Sequence, residues 1–122
     1  LRKKKKILAT PESVIENTIL MFLRYRVRDG YFWKNPSAGF YDGNRFRKHT
    51  SPFAINGVSD ILGVYRGQFV ALEVKRPGVG RLSEKQKFFI DKIKLHEGRA
   101  AVVDSVERVK ECFLEWFDVS LE

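Results

Sequence analysis

The stretch Val58-Ser59-Asp60-Ile61-Leu62-Gly63-Val64-Tyr65-Arg66-Gly67-Gln68-Phe69-Val70-Ala71-Leu72-Glu73-Val74-Lys75 decides how this chain folds. Val58 to Tyr65 and Gln68 to Lys75 are two strand-like runs around Arg66-Gly67, which fits a two-residue hairpin turn. Both runs are mostly apolar on each face, so the sheet they form is expected to be covered by other layers on both sides. A two-residue turn pairs Tyr65 with Gln68, and counting outward brings Asp60 opposite Glu73. Directly opposed residues hold their Cβ atoms about 4.5 to 5.5 Å apart. Lys75 follows Glu73 by two positions and points to the same face.

Two carboxylates and an ammonium are thus expected in one small patch. Opposed like charges destabilise a sheet unless something neutralises them. A hard divalent cation such as Mg²⁺ does so, taking carboxylate and carbonyl oxygens while keeping several waters. The carbonyl of Val74 can supply a further oxygen. Lys75 can hold or help deprotonate a water beside the metal, or meet charge developing on a phosphate. These groups suit metal-assisted hydrolysis of a phosphodiester. The plain structural alternative makes Asp60 a strand end and Glu73 with Lys75 a surface ion pair. Clustering of the charges at one end of a face that Leu62, Val64, Phe69 and Ala71 keep apolar favours a site.

Outward from the hairpin, Pro77, Gly78 and Gly80 end the pairing. Ser83 and Gln86 form a capping box for a helix to about Glu97, with Phe89, Ile90 and Ile93 inward and Gly98 at its C-cap. Gln86 lies near the end of the strand bearing Lys75. It can order a water or leaving group there, or serve the cap alone. Ala100 to Val103 reads as a buried strand. Ser105 caps a last helix carrying Val109, Cys112, Phe113, Trp116 and Phe117. Upstream, Thr10 caps a first helix with Pro11 and Glu12 in its first turn. Ile15, Thr18, Ile19, Phe22 and Tyr25 give it an apolar stripe to about Val27. On pattern alone, Glu16 of this helix faces solvent. Tyr31 to Trp33 suits a short strand, and Phe40-Tyr41 leading into Asp42-Gly43 suits a hairpin. The order is helix, strands, helix, strand, helix, an α/β arrangement.

With 122 residues, 43% of them hydrophobic, the chain can build one core and hardly two. A single cysteine excludes an internal disulfide, and two histidines argue against a His/Cys zinc site. No apolar run nears the ~20 residues of a membrane span. No signal peptide is recognisable before Pro11. The expectation is one soluble, intracellular domain, with no membrane and no small-molecule cofactor. Residues 1–10 read as a basic N-terminal arm and residues 11–122 as a single domain. The whole net charge of +8 sits within residues 1–48, whereas residues 49–122 are balanced. This asymmetry favours a polyanionic partner, since Lys and Arg gain by releasing counterions from a phosphate backbone.

At Glu73-Val74-Lys75, preceded by Asp60, the sequence resembles the PD-(D/E)XK nuclease superfamily. Gly57 to Gly63, Ala71 to Pro77 and Leu82 to Ile90 together resemble its virus-type replication-repair nuclease domain, VRR-NUC, in the stand-alone form of phages and prophages. The resemblance runs from the first helix to about Ser105. It implies a restriction-endonuclease-like fold, a small mixed sheet flanked by helices, and a nuclease using Mg²⁺ or Mn²⁺ on structured DNA such as Holliday junctions and flaps. Asp60 and Glu73 match its metal-binding acids, with the Val74 carbonyl completing the protein ligands. Lys75 matches the catalytic lysine, Gln86 the glutamine, and Glu16 the acid carried on the first helix, a further or water-mediated metal ligand. The residue before Asp60 is Ser59 rather than proline, which removes no ligand. Small stand-alone members imply a homodimer with two sites for paired cuts.

DNA is then expected along the basic flank, with Arg24, Arg26, Arg28, Lys34, Arg45, Arg47 and Lys48 on phosphates. No base-reading motif is recognisable, so shape rather than sequence is the expected target. Phe113, Trp116 and Phe117 offer a dimer surface or close the monomer's own core. The alternatives are a monomeric flap or single-strand-selective nuclease, or a DNA-binding module without cleavage.

Overall fold

The computed structural model describes residues 10–36, 40–41, 43–47, 51–78 and 80–122. Helix α1 (Glu12–Arg26) leads to strand β1 (Gly30–Lys34) and a small hairpin of β2 (Phe40–Tyr41) and β3 (Phe46–Arg47). Then come β4 (Ile61–Tyr65), β5 (Gln68–Val74), α2 (Glu84–Leu95), β6 (Arg99–Val103) and α3 (Val106–Phe117). The main sheet has the order β1-β4-β5-β6. β4 runs antiparallel to β1 and β5, and β6 lies parallel to β5 beyond the α2 crossover. This is the expected mixed sheet flanked by helices. Among the described residues no helix is long and apolar enough to cross a membrane. The basic arm of residues 1–9 lies outside the described residues.

The hairpin register matches the expectation: Tyr65 pairs with Gln68, Leu62 with Ala71 and Ile61 with Leu72. Arg66 (φ 50°) and Gly67 (φ 78°) both take left-handed backbone, as a two-residue turn matched to strand twist requires. β4 starts later than the sequence pattern implies, at Ile61 rather than Val58. Asp60 turns its side chain to the β5 backbone, and its carbonyl accepts from Asn35 N–H at 2.7 Å.

One face of the sheet packs on α1 and α3 through Ile15, Ile19, Leu23, Tyr65, Leu72, Val109 and Phe113, all buried. The other packs on α2, where Ala71 and Ala100 meet Phe89 and Ile90. Phe113 is fully buried, with its ring 5.2 Å from Tyr65 and 5.4 Å from Phe117, so the last helix's aromatics close the monomer's own core.

Three local expectations need correction. Pro11, not Thr10, is the α1 N-cap, and no side chain caps that end. The inward stripe of α1 is Ile15, Ile19 and Leu23, while Thr18 and Tyr25 are exposed. Leu23 and Val27 draw the buried face round, and Glu16, one turn before Leu20 and seven residues before Leu23, comes with it. After α2 the left-handed residue is Glu97 (φ 68°), not Gly98. Gly98 instead donates to the Ile93 carbonyl at 2.8 Å, where a Cβ would press within 2.6 Å of the Ile93 side chain. The caps of α2 at Ser83 and α3 at Ser105 form as expected.

Gly63 on β4 lies opposite Phe32 of β1, and a Cβ there would come within 2.2 Å of the Phe32 ring. Since Phe32 is itself core, Gly63→Ala is expected to lower stability by about 1–3 kcal/mol through overpacking, read as a reduced urea midpoint.

Candidate active site

The site forms where β4 begins and β5 ends. Asp60 lies one residue beyond the last β4–β5 pair, which continues the register to Glu73. Its Oδ2 accepts from the Val74 backbone N–H at 2.8 Å, which pins the carboxylate against β5. Glu73 is 1% exposed, and its neighbours divide its two oxygens. Oε1 accepts from Gln86 Nε2 at 2.9 Å and lies 3.7 Å from Lys75 Nζ. Oε2 is buried with no hydrogen-bond partner.

Gln86 forms the capping box that its position suggested and also reaches the acid pair. Its Oε1 accepts from Ser83 N–H at 2.9 Å, while Ser83 Oγ accepts from Gln86 N–H at 3.1 Å. A backbone N–H can only donate, so the amide oxygen must face Ser83 and the NH₂ is left for Glu73. Both ends of the amide are thereby engaged, one at the helix cap and one on Glu73, and one N–H of the NH₂ remains to donate. The loop before Asp60 is keyed to the same helix turn. Gly57 (φ 79°) sits so close that a Cβ would fall 2.4 Å from the Lys85 carbonyl carbon and 2.7 Å from Gln86 N.

Burial, and after it the negative charge of Asp60, raises the Glu73 pKa from 4.5 to about 8, with Lys75 opposing. A buried acid facing a second acid holds its proton near neutrality unless a cation replaces it. The unpartnered Oε2 and the Asp60 carboxylate, with the adjoining Val74 carbonyl, suit a hard divalent ion that retains waters. Among the described residues, no three His, Cys, Asp or Glu side chains gather to cage an ion.

Glu16 is buried (8% exposed), against the solvent position its pattern suggested. Its pKa is raised by burial and then by Asp60, so it belongs to the same electrostatic neighbourhood. Lys34 Nζ lies 3.4 Å from Glu16 Oε1, an ion pair whose alignment leaves that oxygen without a hydrogen bond. Sequence reasoning placed Lys34 on the DNA flank and missed this pairing, because it joins α1 to the end of β1 across the fold. It also missed Ser59, fully buried with an unpartnered Oγ beside Asp60. Arg24 and Arg26 are exposed on α1, roughly 12 and 15 Å along the axis from Glu16, and Arg28 follows just past that end. Arg45 is exposed in the β2–β3 hairpin, and Arg47 lies on β3. Lys48 lies outside the described residues.

An α/β mixed sheet flanked by helices, with two acids and a lysine at the end of a central hairpin, has the architecture of PD-(D/E)XK-like nucleases. Residues 52–107 match the model of the VRR-NUC domain, so a nuclease-like domain of this kind is present over that part of the chain. The match includes Asp60, Glu73, Lys75 and Gln86, and leaves α1 with Glu16 outside it, a shorter span than the sequence resemblance implied. No curated protein matches the chain.

The raised pKa of Glu73 favours the folded state fully below pH 4.5, and that contribution is lost as pH rises to about 8. In EDTA, stability is therefore expected to fall between pH 5 and 8. Glu73→Gln, neutral throughout, should flatten that slope and leave the metal-free protein more stable at pH 8 by on the order of 1–3 kcal/mol. Thermal unfolding across the pH series checks this, and equal slopes in the two proteins would refute it.

Proposed function

We propose that this chain is a divalent-metal-dependent DNA endonuclease that hydrolyses phosphodiester bonds at branched DNA such as four-way junctions. The observation that carries this reading is the opposed Asp60–Glu73 pair, with a buried unpartnered oxygen on Glu73 and an ammonium 3.7 Å from its other oxygen. Asp60, Glu73 and the Val74 carbonyl would hold Mg²⁺ or Mn²⁺, with Glu16 next to them. When bound, such an ion supplies positive charge at the scissile phosphate and acidifies a water.

The chain's own groups divide the remaining work. Gln86 Nε2 fixes one oxygen of Glu73 and so aims the other. The Val74 N–H holds Asp60 in a single orientation. Lys75, paired with Glu73 Oε1 at 3.7 Å, would hold an ammonium beside the acid pair, where it can meet an attacking water and offset charge gathering on the phosphate. Arg24, Arg26, Arg28, Lys34, Arg45, Arg47 and Lys48 are assigned to phosphate contacts that position the duplex without reading bases. Paired cuts at a junction require two sites, hence a homodimer.

The test uses labelled four-way junction, flap, single-stranded and linear duplex DNA, each with Mg²⁺, Mn²⁺ or EDTA. Expected are paired nicks at the junction that vanish in EDTA. Lys75→Ala is expected to lower the cleavage rate by about 10²-fold or more while DNA binding persists. Binding of every substrate without metal-dependent cleavage would overturn the enzymatic reading, and cleavage confined to flaps would replace the junction as substrate.

A further inference from the structure

Next to the catalytic hairpin lies a surface that the hydrolytic chemistry does not use. The turn at Ser51–Ala54 is held by Ala54 N–H to the Ser51 carbonyl and by Phe53 N–H to Ser51 Oγ, and it presents Phe53 91% exposed. Ile55, two residues on, is 66% exposed, and Phe88 on the outer face of α2 is 64% exposed. Ile55, Asn56 and Phe88 line a mostly apolar groove with Glu84 and Lys85. Ile55 and Phe88 share this groove, and Phe53 stands two residues before Ile55 on an ordered turn; large apolar side chains held out in this way mark a contact surface.

Three features say what covers it. The first is place: the groove is built on the residues that lead into Asp60 and on the helix turn that carries Gln86, with Gly57 packed between them. The groove and the acid pair thus share one loop and one helix turn, so a strand held at Asp60 and Glu73 would pass beside this surface. The second is charge. Along α2, Lys85, Phe88 and Lys92 follow one another on one helix face, and Lys92 Nζ lies 5.6 Å from the centre of the Phe88 ring. Alternating ring and cation suits a chain of alternating bases and phosphates. Glu84, which also lines the groove, is in the first turn of α2, where it answers the helix's own positive end. The third is shape. Paired bases offer only their edges, whereas an exposed phenyl ring offers a flat face that an unpaired base can stack on, whatever its identity.

We infer that Phe53, Ile55 and Phe88, flanked by Lys85 and Lys92, form a stacking platform for unpaired nucleobases of the DNA strand entering the active site. The inference rests on the nuclease reading above and extends it. Branched DNA that carries an unpaired arm, as a flap does, is selected because those nucleotides can leave the helical stack and cover this surface, which a continuous duplex leaves bare.

The experiment measures binding in EDTA to a flap carrying 2-aminopurine in its unpaired arm, to single-stranded DNA and to linear duplex, beside cleavage by the wild type in Mg²⁺. The proteins compared are wild type, Phe53→Ala/Phe88→Ala and Phe53→Trp/Phe88→Trp. All the changed positions are exposed, and circular dichroism verifies folding. Wild type is expected to quench 2-aminopurine on binding. The double alanine variant should lose the quenching and bind unpaired DNA about tenfold more weakly or worse, with duplex affinity within twofold of wild type. The tryptophan variant should retain both. If wild type cuts DNA while the alanine variant binds and quenches as wild type does, the platform fails and the nuclease reading stands. Equal weakening on duplex and unpaired DNA overturns it too. So does a change confined to self-association in sedimentation, which would make the surface a contact between copies of the chain. A wild type that neither binds nor cuts any DNA would remove the nuclease reading and the platform with it.

Discussion

Two carboxyl groups facing each other at the end of a hairpin are the constraint around which this fold is arranged. Left to themselves, Asp60 and Glu73 repel, and burial makes the charged form of Glu73 dearer still. Their juxtaposition persists because the register of β4 on β5 is enforced from the opposite end, where Arg66 and Gly67 take the left-handed turn that pairs Tyr65 with Gln68. A slip of one residue would turn Glu73 toward the face lined by Tyr65, Leu72 and Phe113, where nothing could accept it. Buried apolar side chains on both sheet faces hold the strands against that slip, each contributing about 1.5–3 kcal/mol. The core thus carries the strain that the site requires.

The unsatisfied groups gather at or beside this site. The buried side-chain atoms without hydrogen-bond partners among the described residues are Glu16 Oε1, Ser59 Oγ and Glu73 Oε2. Ser59 adjoins Asp60, Asp60 opposes Glu73, and Glu16 feels the charge of Asp60. Among the described residues the deficit is therefore local, two carboxylate oxygens and one hydroxyl. Proteins tolerate such a deficit where a ligand makes good the missing contacts. The spot is oxygen-rich and partly buried, and the ammonium groups of Lys34 and Lys75 each lie beside one of its acids.

What the sequence made legible follows from how local each relation is. The hairpin register, the capping box at Ser83 and Gln86 and the cap at Ser105 depend on neighbours within a few residues, and all were readable. The Asp60–Glu73–Lys75 patch was readable for the same reason, as counting outward from one turn places all three. Glu16 was misjudged from pattern because its burial depends on how α1 rolls on the sheet, which Leu23 and Val27 decide together with α3. The Lys34–Glu16 pair joins elements that meet only in the folded molecule. Thr10 had the chemistry of a cap, yet Pro11 occupies that position, and the extended backbone of Pro11 (ψ 146°) starts the helix without a side-chain bond.

Helix α2 explains why so small a domain can carry a site and a contact surface at once. Its inner face, through Phe89 and Ile90, is anchored on Ala71 of β5 and Ala100 of β6. Its first turn spends a single glutamine on two bonds, one closing the helix end and one orienting Glu73. Any movement of that turn would therefore alter the cap and the acid together, and Gly57 packed on Lys85 and Gln86 resists such movement. The outer face is released from packing and can present Phe88 and its lysines to solvent. Because one rigid rod connects the three, whatever docks on the outer face is held at a set distance from Asp60 and Glu73. A ligand on that face and the acid pair would then be positioned by one and the same element.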